Sequence, residues 1–353
     1  MATGTFNGGF RPCLRQWRRL VLRLSILIPL AVCVYLVIVS GPVYTRISQK
    51  NEELYEEVSR TFEEETIDRQ IEETQIERKS KLQEVCKTVT GVTELSKWMF
   101  GHSLVDDNRK FVYCKIFKVA SSSMKKYLIN STEDSNFGQK KFNINNNKFL
   151  HKMGINSFAT YSYEGILYRL VNYFNFIIVR HPLRRLFSAY QDKFLGNHPD
   201  NVRRFQKGIG RHIMKKYRKK ATKEELATGR NVTFTEFLQY VIETEHKPDG
   251  HWRTYYSNCM PCVANFDFIA KLETFDTDFK YILSKIPHKE VPLPTNKPRL
   301  SLSHDPKDSF ENVILNVQRD VMKKILQIFK LDFLMFSYDI TLADIIGTEK
   351  AYT

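Results

Sequence analysis

The sequence predicts an α/β fold in which parallel strands alternate with helices, preceded by a single transmembrane helix and a helical stem. Strand-like residues 111–117 lead into helix-like residues 121–129, and the apolar run 173–179 leads into the amphipathic stretch 183–194. Strand followed by helix, repeated along a chain, is typical of a parallel sheet flanked by helices. A long uncharged run ahead of residue 46 predicts the transmembrane helix.

The transmembrane prediction depends on residues 24–45, which contain no charged side chain. At ~1.5 Å per residue this run is long enough to cross the roughly 30 Å hydrocarbon layer of a bilayer. Five arginines precede the run, whereas one arginine and one lysine follow closely, so the positive-inside rule keeps residues 1–23 in the cytosol. The rest of the chain then faces a lumen or the outside. A cleaved signal peptide is the alternative, which the lack of small residues at a cleavage site disfavours.

Residues 46–85 are predicted to form an acidic helical stem, because spaced apolar residues interrupt an acid-rich run without glycine or proline. Such a helix either pairs two chains as a short coiled coil, giving a homodimer, or serves as a solvated spacer. The apolar residues in question are Leu54, Val58, Phe62, Ile67 and Ile71. Residues 86–345 then form a globular lumenal domain.

The charge of the chain narrows the kinds of partner. It has 54 Lys and Arg against 39 Asp and Glu, a net charge of +15, which predicts an acidic partner: nucleic acid, an anionic membrane or a polyanionic substrate. Because the anchor places the globular domain outside the cytosol, nucleic acid is disfavoured. An acidic small molecule or an acidic glycan is favoured instead.

The cysteines agree with an oxidising compartment. Cys86, Cys114, Cys259 and Cys262 lie in the globular domain and allow two disulfides in three pairings. Our working assignment is Cys86–Cys114 and Cys259–Cys262, although a C-x-x-C bridge is geometrically tight. A zinc site is disfavoured, since no second C-x-x-C or H-x₃-H follows, and no metal is expected. Candidate N-glycosylation sites in such a compartment are Asn130 and Asn231.

A first candidate anion site lies between the first strand and its helix, in the turn that begins at Lys118. Backbone N–H groups at a helix N-terminus, together with serine hydroxyls, can bind an anion, and the ammonium of Lys118 adds positive charge. The G-x-x-x-x-G-K-[ST] motif is absent, so a nucleoside triphosphatase is not indicated. The alternative is that the serines merely cap the helix. The residues of this turn are Lys118, Val119, Ala120, Ser121, Ser122 and Ser123.

A second candidate anion site follows the second strand. Arg180 lies at the strand end and Ser188 two helical turns further on, so the guanidinium and the hydroxyl can converge on one phosphate. Arg184 and Arg185, between them, are interpreted as solvated helix charges. Because a second candidate anion site is present, a functional role for the first turn is better supported than it would be from the first turn alone.

The segments K-V-A-S-S-S and V-R-H-P-L-R-R-L-F-S-A-Y, which contain the two turns, resemble the donor-binding motifs of the Golgi carbohydrate sulfotransferases. The group containing the chondroitin and dermatan 4-O-sulfotransferases is the most similar. Residues 251–273 and 331–338 resemble two further motifs of that family, in the right order along the chain. The chain departs from the family at three positions, since Phe117, Met124 and His181 stand where the family usually has Pro, Trp and Asp.

This resemblance implies a modified P-loop fold, the sulfuryl donor 3′-phosphoadenosine 5′-phosphosulfate (PAPS), and a type II protein of the Golgi membrane. It also implies that Lys118 and residues 121–123 hold the 5′-phosphosulfate, and that Arg180 and Ser188 hold the 3′-phosphate. The favoured acceptor is the 4-hydroxyl of N-acetylgalactosamine in chondroitin-like chains. The alternatives are a uronic acid or another glycan as acceptor, or a protein that binds acidic glycans without catalysis.

Sulfuryl transfer requires a base for the acceptor proton and a cation for the charge that builds on the leaving oxygen. Lys118 is the candidate cation. The resemblance places the catalytic base at His151, with His251 and His181 as rivals.

A basic stretch, residues 203–230, follows the second turn and is interpreted either as a groove for an acidic glycan or as a solvated helix face. A D-x-D at residues 276–278 would suit a glycosyltransferase, but its position before an apolar run predicts a helix cap instead. Further helices are predicted over residues 268–285 and 310–337. The candidate substrate-binding residues are Arg211, Lys215, Lys216 and His251.

Overall fold

A computed structural model of the chain describes residues 11–89, 97–131, 147–289 and 309–339. The chain divides into two compact units, residues 1–70 and residues 71–353. The described part of the first unit is wholly helical and belongs to helix α1, Arg11–Thr88. The predicted anchor at residues 24–45 lies in this helix, and most of its side chains fall outside the described set. Among the residues that the structure describes, we find no helix both long enough and apolar enough to traverse a bilayer.

The second unit is built on a five-stranded sheet of order β3-β1-β2-β4-β5. Strand β2 pairs in parallel with β4, and β4 with β5, so the predicted parallel sheet is present. Strand β1 pairs antiparallel with both β2 and β3, which makes the sheet mixed. The strands are β1 Ser103–Asp106, β2 Phe111–Cys114, β3 Ile155–Asn156, β4 Phe174–Val179 and β5 Phe268–Lys271.

Helices cover the sheet and extend beyond it. Besides α1 they are α2 Lys97–His102, α3 Ser121–Asn130, α4 Asn147–Lys152, α5 Tyr163–Asn172, α6 Pro182–Tyr190, α7 Pro199–Asn201, α8 Arg211–Tyr217, α9 Lys223–Thr228, α10 Phe234–Glu243, α11 Tyr255–Cys259, α12 Pro261–Ala264, α13 Phe275–Lys285, α14 Phe310–Leu315, α15 Arg319–Ile328 and α16 Lys330–Met335. Two π-helical segments follow α6 and α7, at Gln191–Leu195 and Val202–Gly210. Short 3₁₀ helices occupy Phe158–Thr160 and Leu272–Thr274.

Two hydrophobic cores hold these elements together. The first surrounds the sheet, where Val112, Phe176 and Ile269 are fully buried. Strand β4 is buried along almost its whole length, which explains why it is an unbroken apolar run rather than an alternating one. The second core lies among the helices that follow β4, around Phe237 and Trp252. Helix α6 contributes its apolar residues to this second core, so the turn between β4 and α6 connects the two.

Two of the predicted helices are wrong in extent. The run that begins at residue 268 starts as strand β5, and helix α13 begins only at Phe275. The three apolar residues that begin this run, Phe268 to Ala270, pair with the parallel strand β4 instead of starting a helix. Residues 310–337 are not one helix but three, because the chain turns after α14 and again between α15 and α16.

The disulfide assignment is also wrong. The structure joins Cys86 to Cys262 and Cys114 to Cys259. Met260 adopts a left-handed conformation (φ 45°) that ends α11, so the two cysteines of the C-x-x-C segment belong to different helices. Cys259 therefore meets the end of β2, and Cys262 meets the last turns of α1.

The last turns of α1, which belong to the second unit, cover the free edge of strand β5. The side-chain amide of Gln75 donates to the Ile269 carbonyl (3.1 Å) and accepts from the Ile269 N–H (2.8 Å). Arg78 also donates to that carbonyl (2.7 Å) and pairs with Asp278 (2.9 Å). An edge strand presents unpaired backbone groups, and these side chains satisfy them. Asp278, the second acid of the D-x-D, therefore lies in the first turn of α13 and is paired with Arg78.

Replacing Arg78 by methionine is expected to lower the free energy of unfolding by about 3 kcal/mol, since the Asp278 carboxylate, 5% exposed, would lose its buried cation. Urea unfolding measures this change. The matched control is Lys81→Met, whose partner Glu84 is 68% exposed, and we expect that change to stay within about 0.5 kcal/mol. Equal losses in the two variants would contradict the role assigned to Arg78.

Candidate functional site

The turn between β2 and α3 has the geometry of an anion site. Lys118 and Ala120 both have left-handed backbones, with φ of 72° and 62°, which is unusual for residues other than glycine. Alternation of right- and left-handed residues turns successive N–H groups toward one side, where they can surround an anion. Ala120 is the N-cap of α3 and no side chain caps the helix. The serines are therefore not ordinary helix caps; Ser122 is exposed, Ser123 half-buried and Ser121 buried.

Lys118 points toward the π-helical segment that follows α6. Its Nζ lies 2.9 Å from Asp192 Oδ2, and Lys193 Nζ lies 3.1 Å from the same oxygen. Burial opposes ionisation of Asp192, but the two ammonium groups outweigh burial and hold the pKa of that carboxyl below its ordinary range. Two cations thus share one carboxylate beside the first turn, which leaves net positive charge there.

Neutralising Asp192 is expected to strengthen anion binding at this turn. The Asp192→Asn protein should bind inorganic sulfate about tenfold more tightly at low salt, because one negative charge beside Lys118 is gone. Titration calorimetry at two salt concentrations measures the effect, which should shrink as salt rises. Asp200→Asn is the control, since that side chain is 71% exposed and pairs with Arg203. A similar gain in both variants would contradict this prediction.

The second turn lies at the same edge of the sheet. Because β2 and β4 are parallel and Cys114 pairs with Ile177, the residues that follow both strands emerge at one carboxyl edge. The Arg180 backbone is fixed there by Tyr255, whose hydroxyl accepts from the Arg180 N–H (2.9 Å) and donates to the Arg180 carbonyl (2.8 Å). Within the described residues the Arg180 guanidinium makes no hydrogen bond or ion pair, and burial lowers its pKa. Ser188 is half-buried on α6.

The interpretation of Arg185 as a solvated helix charge is wrong. Its side chain is fully buried and donates to the carbonyls of Phe117 (3.0 Å) and Arg253 (2.7 Å). It therefore connects the second turn to the first. Only Arg184, which pairs with Glu311 at 3.0 Å, is part-exposed. Helical spacing carries the signal that sequence analysis missed, because Arg184 shares a face with Ser188 whereas Arg185 lies about 100° around the helix.

Two further motifs support the Arg180 turn. Asp332 accepts from the N–H groups of Tyr255 (2.7 Å) and Tyr256 (3.0 Å), and burial raises the pKa of this carboxyl to about 7. Glu273 accepts from the His181 N–H at 2.8 Å. The segments around residues 255, 273 and 332 thus serve to position the backbone of the second turn.

The three candidate histidines lie in different surroundings. His251 stacks on Phe117, with ring centroids 4.4 Å apart, and its Nδ1 lies 2.6 Å from Asp249 Oδ1. His151 is exposed on α4, next to edge strand β3, with Nδ1 2.5 Å from Asn156 Oδ1. The structure therefore brings His251, and not His151, to the turn that contains Lys118.

His181 occupies an enclosed position. Both nitrogens of its ring are buried without a hydrogen-bond partner in the described part of the chain, and burial lowers its pKa to about 4. The ring packs edge-on against Phe333 and Tyr338. A histidine enclosed in this way is poorly placed to meet a substrate.

The candidate substrate-binding residues of the basic stretch are spread over α8. Arg211 donates to the Leu226 carbonyl (2.8 Å), Lys216 pairs with Glu243, and Lys215 is exposed. These three do not gather around either turn by any described contact.

Asn130 and Asn231, the sequon asparagines, are both exposed. Within the described residues there is no group of three His, Cys, Asp or Glu side chains that could hold a metal.

These observations define a class of protein: an α/β domain with two cationic turns at the carboxyl ends of parallel strands, suited to a ligand with two anionic groups. Comparison with known families gives the class a name. The profile described as the sulfotransferase family matches residues 101–339, and the chain belongs to that family. The resemblance to the carbohydrate sulfotransferases is confirmed by individual relatives.

Human carbohydrate sulfotransferase 9 is 34% identical over 280 residues, which cover 76% of this chain and 60% of the relative. Zebrafish carbohydrate sulfotransferase 14 is 31% identical, over 69% of this chain and 63% of the relative. Mouse carbohydrate sulfotransferase 11 is 30% identical, over 68% and 67%. The chain thus spans about three fifths to two thirds of the length of these relatives. No solved structure matched the chain.

Proposed function

We propose that the chain is a carbohydrate sulfotransferase that transfers a sulfuryl group from PAPS to a sugar hydroxyl. The observation that carries this proposal is the placement of two anion-binding turns at one sheet edge, one with Lys118 and the other with the Arg180 guanidinium, which is half-buried and makes no described ion pair. PAPS carries anionic groups at both ends of its ribose, so the donor requires two separate cationic sites. When bound, it supplies the activated sulfuryl group.

The residues present fit this donor. The N–H groups of the first turn, the hydroxyls of Ser122 and Ser123, and Lys118 would hold the 5′-phosphosulfate. Arg180 and Ser188 would hold the 3′-phosphate. Lys118 would also neutralise the charge that develops on the leaving oxygen. This chemistry requires no metal from the protein.

We further propose a particular acceptor. The favoured substrate is the 4-hydroxyl of N-acetylgalactosamine in chondroitin-like chains, supported by the resemblance to the 4-O-sulfotransferase group. A uronic acid or another glycan is the alternative acceptor.

We also propose that the chain is a type II Golgi membrane protein, with the uncharged residues 24–45 as its anchor, and that its stem pairs two chains or acts as a spacer.

The test uses the full-length chain in detergent with radiolabelled PAPS and a panel of chondroitin, desulfated dermatan, a heparan precursor and simple N-glycans. Label on one glycan would establish transfer and the acceptor class together. A folded protein that labels none of these glycans, but is itself retained by a column of immobilised chondroitin, would favour the non-catalytic glycan-binding alternative.

Arg180→Ala is expected to weaken binding of adenosine 3′,5′-bisphosphate, the donor product, about 10- to 100-fold. The reason is the loss of charge-assisted hydrogen bonds to the 3′-phosphate. Titration calorimetry measures this affinity. Arg319→Ala is the control because that arginine is exposed on α15, and its affinity should stay within about twofold of wild type. Unchanged binding in Arg180→Ala would contradict the assignment of the second turn.

A further inference from the structure

Asp249 fixes the orientation and the tautomer of His251. Its Oδ1 accepts from the His251 backbone N–H (3.0 Å) and lies 2.6 Å from Nδ1. Burial opposes ionisation of Asp249, but its hydrogen bonds to His251 outweigh burial and lower the pKa of the carboxyl. An ionised carboxylate can only accept, so Nδ1 carries the proton and the lone pair of the neutral ring is on Nε2.

Arg204 completes this arrangement from the opposite side. Its Nη2 lies 2.7 Å from Asp249 Oδ2, the oxygen that His251 leaves unused. Arg204 comes from the π-helical segment Val202–Gly210, whereas Asp249 and His251 lie just before α11. Both oxygens of the carboxylate are therefore engaged, which restrains the side chain that holds the imidazole.

The ring of His251 lies against the first anion-binding turn. One face stacks on Phe117, the residue before Lys118, and the ring of Phe205 lies perpendicular to the imidazole, with ring centroids 5.4 Å apart. Its Nε2 makes no hydrogen bond to a described residue, and the His251 side chain is 14% exposed. The lone pair on Nε2 is therefore available to a molecule that approaches this turn.

Three charged groups act directly on this imidazole, and two more lie beside them. Burial, and the positive charges of Lys193 and Lys118, lower the pKa of His251, while Asp249 raises it; the net direction is down. Arg204 faces the far side of Asp249, and Asp192 lies between the two lysines. The ring is therefore neutral near pH 7 and able to accept a proton.

We propose that His251 is the proton acceptor of the transfer reaction, with Asp249 and Arg204 as its positioning residues. This inference rests on the proposed function. The acceptor hydroxyl gives its proton to Nε2 while its oxygen bonds to sulfur. The bond between sulfur and the bridging oxygen breaks, adenosine 3′,5′-bisphosphate leaves, and the imidazolium passes its proton to water. The assignment differs from the one drawn from family resemblance, which names His151.

The decisive comparison is kcat for three histidine variants of the full-length chain in detergent. His251→Ala should lose about 100-fold or more in kcat, the contribution typical of a positioned base. Its affinity for adenosine 3′,5′-bisphosphate should stay within about threefold of wild type. His246→Ala is the matched control, since that side chain is 92% exposed. The proposal is overturned if His251→Ala keeps its kcat, if it loses donor-product binding to the same extent, or if only His151→Ala is inactive.

The positioning residues are tested through the pH dependence of kcat. Asp249→Asn removes the group that raises the pKa of His251, so the acidic limb of the rate profile should move to lower pH while the plateau falls about 10- to 100-fold. Arg204→Ala should lower the plateau less. A uniform loss at every pH, with the limb unmoved, would mean that Asp249 only stabilises the fold.

A chemical readout separates this inference from the proposed function. Diethyl pyrocarbonate, followed by peptide mass spectrometry, should modify His251 at neutral pH but not the enclosed His181. Donor product together with a sulfated glycan should slow the modification of His251. No modification of His251 would overturn the inference even in an active protein. If wild-type protein transfers no sulfate, the proposed function fails instead, and this readout still reports whether Nε2 is accessible.

Discussion

Replacing Lys118 by alanine is expected to reduce sulfuryl transfer about 100- to 1000-fold without unfolding the protein. Lys118 is the cation of the first turn, and its backbone is held in a left-handed conformation beside the N-terminus of α3. In the proposed reaction the ammonium acts when negative charge develops on the oxygen that leaves sulfur, so its loss should lower kcat more than it weakens donor binding. Steady-state kinetics with labelled donor measure both effects.

The control for Lys118 is Lys126→Ala, an exposed lysine on α3. It should retain kcat within about twofold. Circular dichroism and the unfolding midpoint should remain close to wild type in Lys118→Ala, because Asp192 keeps its second partner, Lys193. A Lys118→Ala protein with normal kcat would remove the first turn from the reaction.

Arg185→Met is expected to cost about 3–5 kcal/mol of unfolding free energy. The guanidinium is fully buried, and its removal would take the Arg185 donor from the Phe117 carbonyl and one of two donors from the Arg253 carbonyl, which also accepts from Asn258 (3.2 Å). Donor affinity should fall as well, since the Phe117 carbonyl directly precedes the first turn. The control is Arg184→Met, whose ion pair with Glu311 is part-exposed and should contribute less than about 1 kcal/mol.

The loss in Arg185→Met should grow with pH. Burial raises the folded-state pKa of Asp332 to about 7, above its ordinary value of 3.8, and the charge of Arg185 opposes that rise. A carboxyl with a raised folded pKa stabilises the protein most at low pH and loses that contribution as pH rises through the folded value. Without Arg185 the folded pKa rises further, so the deficit measured by urea unfolding should be larger at pH 8 than at pH 5. An equal deficit at both pH values would contradict the coupling.

The parts of the fold that sequence analysis predicted are those with local signals. Strands β2 and β4, their helices and the two turns follow from short apolar runs and from the residues directly after them. Strand β3 has only two residues, which is too short to leave a pattern. Disulfide pairing depends on which loops meet in three dimensions, and sequence spacing carries no such information.

The residues of the candidate site also fall into two groups, those with a local sequence signal and those without one. Lys118 and Arg180 were predicted because each directly follows a predicted strand, residues 111–117 and 173–179, and the sequence alone specifies that position. Arg204, Asp249 and His251 come from separate loops and helices, so their convergence has no sequence signature. The role of Arg185 was missed because a charged residue in a helix is usually solvated, and only burial on nearly all sides of α6 reverses that expectation.

The hydrogen bonds of Gln75 and Arg78 to Ile269 determine how far the chain can be shortened from its N-terminal side. A protease or a truncation that removes residues before 71 leaves these hydrogen bonds in place, together with the Cys86–Cys262 disulfide. A fragment that starts after Arg78 would present the bare edge of β5, which is a template for strand addition by a second molecule. We therefore expect fragments that start after Arg78 to aggregate, and soluble fragments to begin upstream of Gln75.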